Sequence, residues 1–172
     1  MSEVGHVPVI SIVGRSGVGK TTLLERVIRE IKVRGYRVGT VKHDTHGFEI
    51  DKPGKDSWRH AQAGSDAVVV SGPHKMALIR KVDEEMHLDS IVSLMGDVDL
   101  VITEGYKRGD KPKIEVSRLE RGKGLLCHPD ELIATVADYP VDLPVPRFDL
   151  DDVVGIVDLL ERLYLCGKHQ SG

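Results

Sequence analysis

Residues Gly14-Arg15-Ser16-Gly17-Val18-Gly19-Lys20-Thr21 satisfy every position of the pattern G-x-x-x-x-G-K-[ST], and their flanks narrow the folds open to this chain. Before them, Val9-Ile10-Ser11-Ile12-Val13 is an apolar, β-branched run that predicts a buried strand. After them, Thr22-Leu23-Leu24-Glu25-Arg26-Val27-Ile28 opens a helix whose apolar spacing continues to Ile31. A glycine-rich turn between strand and helix is a phosphate cradle. Its glycines let successive N–H groups turn inward, and the helix start adds the positive end of its dipole. The cradle comprises Gly14, Arg15, Ser16, Gly17, Val18, Gly19, Lys20, Thr21 and Thr22. In it the Lys20 ammonium reaches the β- and γ-phosphates, and the Thr21 hydroxyl is an Mg²⁺ ligand. The pattern predicts that the chain binds a nucleoside triphosphate.

The rest of the chain alternates strand and helix signals. Gly35 closes the first helix. Residues 36–41 predict strand two, and residues 42–54 a long polar loop of the kind that usually carries function. A short helix over 55–63 is closed by Gly64. Residues 66–71 and 75–80, separated by Gly72-Pro73, predict an antiparallel pair. A helix over 88–95, strands over 99–103, 113–117 and 132–136, and a last helix capped by Asp151 or Asp152 complete the pattern. The expected fold is α/β: a mostly parallel sheet with helices on both faces plus one antiparallel strand pair. The 172 residues predict a single domain over 1–172, with a small β excursion around 72–82.

Composition excludes several partner classes. Lys+Arg 24 against Asp+Glu 27 leaves a net charge of −3, which removes the general electrostatic case for nucleic acid. Aromatic content of 4% argues against a stacking platform for single strands. The apolar runs are too short to span a bilayer, so no membrane partner is expected. The two cysteines, Cys127 and Cys166, lie far apart, and the chain reads as cytoplasmic.

Ligands of such sheets bind outside the carboxyl ends of the strands. In Asp99-Leu100-Val101-Ile102-Thr103-Glu104-Gly105, that rule selects Glu104 over Asp99 as the metal-side or water-orienting carboxylate. Strand two delivers Lys42-His43-Asp44-Thr45-His46 to the same edge. Lys42 and His43 are candidates to neutralise phosphate charge, and Asp44 is a candidate for the magnesium shell. His43 and His46 also admit a metal reading, although their spacing supplies two ligands where three are wanted. Asp51-Lys52-Pro53-Gly54-Lys55-Asp56-Ser57 is either a γ-phosphate-dependent switch or a turn with a cap at Asp56. Guanine presents N1–H and N2–H₂ donors that one carboxylate can accept together. Asp138 in Thr135-Val136-Ala137-Asp138 is the candidate reader of that edge; it is equally compatible with an ordinary loop acid. The chain has no asparagine, so the common N-K-x-D base-reading motif is absent. Lys107, Arg108, Lys111, Lys113, Arg118 and Arg121 form a basic stretch, either a solvated face or a contact for a second anion.

The segments Gly14 through Thr22, Thr40-Val41-Lys42-His43, Asp51-Lys52-Pro53-Gly54-Lys55-Asp56-Ser57, Ala63-Gly64, Thr103-Glu104-Gly105-Tyr106-Lys107 and Phe148-Asp149-Leu150-Asp151-Asp152-Val153 span nearly the whole chain. Together they resemble the molybdopterin-guanine dinucleotide biosynthesis adaptor (MobB) family. The resemblance implies a P-loop nucleotidase-type domain that forms homodimers and binds GTP and Mg²⁺. It also implies an adaptor with slow GTP hydrolysis, assisting the guanylyltransferase MobA that joins GMP to molybdopterin. The family's phosphate loop maps to Gly14 through Thr22 and its Walker B acid to Glu104, which with Lys20 bears on hydrolysis. Thr45 stands where the family carries the middle histidine of V-K-H-x-H-H. The residues alone also leave open a small-molecule kinase and a metallochaperone-type GTPase on the same loop.

Overall fold

A computed structural model describes residues 7–166 of the chain. In chain order the elements are β1 (Val9–Gly14), α1 (Lys20–Val33), β2 (Val38–Lys42), α2 (Asp56–Gln62), β3 (Ala67–Ser71), β4 (Met76–Arg80), α3 (Leu88–Ser93), β5 (Leu100–Glu104), β6 (Lys113–Ser117), β7 (Leu132–Ala137), β8 (Arg147–Phe148) and α4 (Val153–Leu160). They form two compact units, one running to His43 and resuming at Val92, the other spanning Asp44–Ile91.

The first unit holds a six-stranded sheet in the order β2-β5-β1-β6-β7-β8, parallel throughout. The chain leaves β1 toward β2 on one side and later reaches β6 on the other. The carboxyl end of β1 is therefore the point at which the strand order reverses, where open α/β sheets hold ligands. One sheet face is apolar at its centre. Ile10, Ile12, Leu100, Ile102, Ile114, Val116, Ala134 and Val136 pack beneath Leu23, Val27 and Ile31 of α1 and Ile156, Val157 and Leu160 of α4. Each of the Val, Leu and Ile side chains contributes about 1.5–3 kcal/mol by leaving water. Cross-links between the two helices register them. Arg26 pairs with Asp151 at 2.6 Å, while Arg34 reaches both Asp158 (2.7 Å) and Glu161 (2.8 Å).

The opposite sheet face buries polar groups, all of them paired except one. The Thr103 hydroxyl donates to Ser11 Oγ at 2.8 Å. The Glu115 carboxylate accepts the N–H groups of Leu126 (2.6 Å) and Cys127 (3.0 Å). The fully buried Lys113 ammonium donates to the Gly109 carbonyl and to Glu131, which holds the Glu131 carboxyl below the usual range. Burial, then Glu115, pushes the Cys127 thiol up to about 11, so it is protonated at neutral pH. The exception is the Thr135 hydroxyl, buried with no partner among the described residues.

In the second unit β3 and β4 pair antiparallel, Val68 facing Ile79 and Val70 facing Ala77, and the excursion expected around 72–82 is part of this unit. α2 begins one residue after Lys55, which occupies the cap position. Asp56 therefore sits in the first turn instead of capping it, where its charge favours the helix dipole. Val68 is buried, whereas Phe48, Ile50, Val69, Val70, Met76 and Leu78 are exposed. Of the two candidates for the last cap, Asp152 serves, accepting the Gly155 N–H at 3.0 Å.

Candidate functional site

The loop between β1 and α1 folds as its glycines require. Gly14, Gly17 and Gly19 have φ of 146°, 75° and 92°, values open mainly to glycine. At Gly14 space forbids anything else as well: a Cβ would lie 2.3 Å from the Val116 carbonyl oxygen of the neighbouring strand. The Lys20 side chain folds back across the loop and donates to the Arg15 carbonyl at 2.9 Å. Burial holds the Lys20 ammonium below its ordinary pKa, Glu104 opposes that shift, and Lys107 reinforces it. A cation so placed gains from an arriving anion, because phosphate restores the charge that burial penalises.

Strand β5 brings the acidic partner. Parallel register sets Ile12 beside Glu104 and Lys42 beside the same residue from β2. Glu104 Oε1 accepts the Thr21 hydroxyl at 2.8 Å, so the loop threonine and the strand-end carboxylate form one oxygen cluster. The Glu104 carbonyl accepts the His43 N–H at 3.0 Å. The His43 ring stacks on Tyr106, with centroids 4.4 Å apart and planes 21° from parallel. Tyr106 has φ of 54° and is the one non-glycine residue with positive φ among the described residues, a strained setting for a bulky side chain.

Strand β6 borders the loop on its other side. Arg118, the first residue past β6, donates from Nε to the Val18 carbonyl at 2.9 Å. A Cβ at Gly17 would meet the Arg121 guanidinium at 3.2 Å, so that side chain also lies against the loop. Arg118 is half-buried and Arg121 exposed. The turn carrying them is held from β7. Asp138 Oδ1 accepts the Leu119 N–H at 2.8 Å, and the Ser117 and Tyr139 hydroxyls are 2.7 Å apart.

Gly14 through Thr22, Lys42, His43, Glu104 and Asp138 thus all belong to the first unit, at or beyond the carboxyl ends of its strands. Asp44 belongs to the second unit, where its Oδ1 accepts the His46 N–H at 2.9 Å. Among the described residues no three His, Cys, Asp or Glu side chains are grouped to hold a metal ion. The basic stretch divides. Lys113 is an interior ion-pair residue, whereas Arg118 and Arg121 border the loop. The sequence placed Arg118 in a basic stretch, either a solvated face or an anion contact; the carboxyl-end rule that found Glu104 after β5 applies equally to Arg118 after β6.

A family model described as molybdopterin guanine dinucleotide synthesis protein B matches residues 9–138. The chain is 35% identical to a molybdopterin-guanine dinucleotide biosynthesis adapter protein of Haemophilus influenzae, over 91% of this chain and 89% of that protein. It is also 35% identical to the adapter protein of Escherichia coli, over 90% and 91% of the two. The crystal structure of Bacillus subtilis MobB superposes with a TM-score of 0.74 at 27% identity, covering 90% of this chain and 97% of that one. Among the described residues no helix is long and apolar enough to cross a membrane.

Proposed function

This chain belongs to the MobB family, and on that premise we propose that it is a GTP-binding adapter of molybdopterin guanine dinucleotide biosynthesis. The observation that carries the nucleotide reading is the junction of Lys20, Thr21 and Glu104 at the point where the strand order reverses. Lys20 exchanges the Arg15 carbonyl for the β- and γ-phosphates, and the loop amides take the remaining oxygens. Thr21 and Glu104 offer two adjacent oxygen donors, a set that fits Mg²⁺, which favours one or two protein ligands alongside phosphates and waters. When bound, Mg²⁺ neutralises charge on the phosphate tail. Lys42 and His43, at the end of β2 beside Glu104, are additional phosphate contacts in this reading. Hydrolysis is slow in this reading, with Glu104 and Lys20 the residues that bear on it.

In this reading the partners are molybdopterin and the guanylyltransferase MobA, which the GTP-loaded adapter retains. The exposed Val69, Val70, Met76 and Leu78 of the β3–β4 pair supply an apolar surface for the second copy of a homodimer. Immobilised MobA, challenged with this chain and molybdopterin, tests the proposal. Retention should require GTP and Mg²⁺, fall with ATP, and be lost in Lys20→Ala. Equal retention without nucleotide removes the GTP-dependent adapter reading.

A further inference from the structure

The loop's β6 border carries a carboxylate that the phosphate chemistry does not use. β6 ends at Ser117; Arg118 follows, and Leu119–Arg121 form a single 3₁₀ turn. Three contacts fix this segment. Arg118 ties it to the loop through the Val18 carbonyl, Asp138 holds the Leu119 N–H, and Tyr139 meets the Ser117 hydroxyl. Glu120, within that fixed turn, is exposed and has no hydrogen bond or ion pair among the described residues.

A nucleotide whose phosphates fill the loop must lay its base to one side. The β5 side is taken by the Thr21–Glu104 cluster and the His43–Tyr106 stack. The β6 side offers a flat guanidinium braced on the loop and, two residues on, an open carboxylate. An arginine plane suits the face of a purine. A carboxylate accepts two parallel donors, which the N1–H and N2–H₂ edge of guanine supplies and adenine does not. Asp138 already accepts the Leu119 N–H, which fixes its carboxylate to the turn, whereas neither Glu120 oxygen is engaged among the described residues. The order Arg118-Leu119-Glu120 repeats the cation-x-acid spacing of N-K-x-D, while the preceding Ser117 hydroxyl is taken up by Tyr139.

We propose that Glu120 reads the guanine base, that Arg118 supplies the plane against which it lies, and that Asp138 is a positioning residue holding the turn. This rests on the GTP reading above and adds the determinant of base choice.

The experiment measures binding of GTP, ATP and XTP, each with Mg²⁺, by calorimetry. Xanthine carries a carbonyl where guanine has N2–H₂, so Glu120→Gln should raise XTP affinity about tenfold and lower GTP affinity by a similar factor. A gain of affinity cannot come from misfolding. Glu120→Ala should lose the GTP preference while leaving ATP affinity within about twofold. Asp138→Ala should lower the GTP/ATP ratio, and Asp138→Asn, which keeps an acceptor for Leu119, should restore it. An unchanged GTP/XTP ratio in Glu120→Gln overturns the assignment, as does a switch to XTP in Asp138→Asn. Wild-type binding of GTP and ATP with equal affinity overturns it while leaving the phosphate site standing. Failure of the wild type to bind any triphosphate removes the nucleotide reading itself.

Discussion

The two strands flanking β1 meet the same loop with opposite chemistry. β5 ends in a carboxylate joined to the loop by a side-chain hydroxyl, followed by a strained Gly105-Tyr106 corner. β6 ends in hydroxyl and guanidinium groups, and its arginine grips the loop by a backbone carbonyl. The β5 contact can be exchanged for a cation or a phosphate, since Thr21 and Glu104 are both potential ligands. The β6 contact engages a backbone carbonyl and none of the loop's amides, so it competes with no phosphate oxygen and can persist when the anion arrives. A loop that must bind and release an anion is thus anchored on one side and adjustable on the other.

That contrast can be broken at graded cost. Gly14→Ala is the harshest test, because it drives a methyl into the Val116 carbonyl at a φ that alanine avoids. Chemical denaturation should show a loss of about 4 kcal/mol. Lys20→Ala removes the cation folded across the loop beside Glu104. Titration calorimetry should record about 100-fold weaker GTP binding, equivalent to about 3 kcal/mol, with the circular dichroism spectrum unchanged. Glu104→Gln tests the adjustable side. Steady-state hydrolysis should fall about tenfold, more than GTP affinity does; the reverse order would make Glu104 chiefly a binding group. Arg118→Ala tests the anchored side. Losing one hydrogen bond to Val18 should weaken every triphosphate by a similar factor of about five, corresponding to about 1 kcal/mol. A wholly GTP-selective loss would instead assign Arg118 to the base alone.

The sequence made the β5 side legible and left the β6 side obscure, and the reason is physical. Glu104 follows an unbroken apolar strand and precedes a glycine, so its place at the ligand edge can be read from period and punctuation. The parallel sheet, the antiparallel pair and the strand at 132–136 were legible in the same way. Arg118 stands in a stretch where Lys113 looks equally basic, and only burial separates the two: Lys113 is sealed inside with Glu131, Arg118 lies on the loop. β8, two residues long, and the π-type turn Glu161–Leu165 carry too little periodicity to be read. Asp56 misled for a local reason, since Lys55 already has the extended backbone of a cap.

Tyr106 has a consequence for substitution. A side chain kept at positive φ costs roughly 1–3 kcal/mol, and here the His43 ring lies against its face. The peptide two positions past Glu104 therefore sits above its own resting energy. A glycine in place of Tyr106 would lift that backbone cost and forfeit the ring packed on His43, two residues past the carboxylate at the loop.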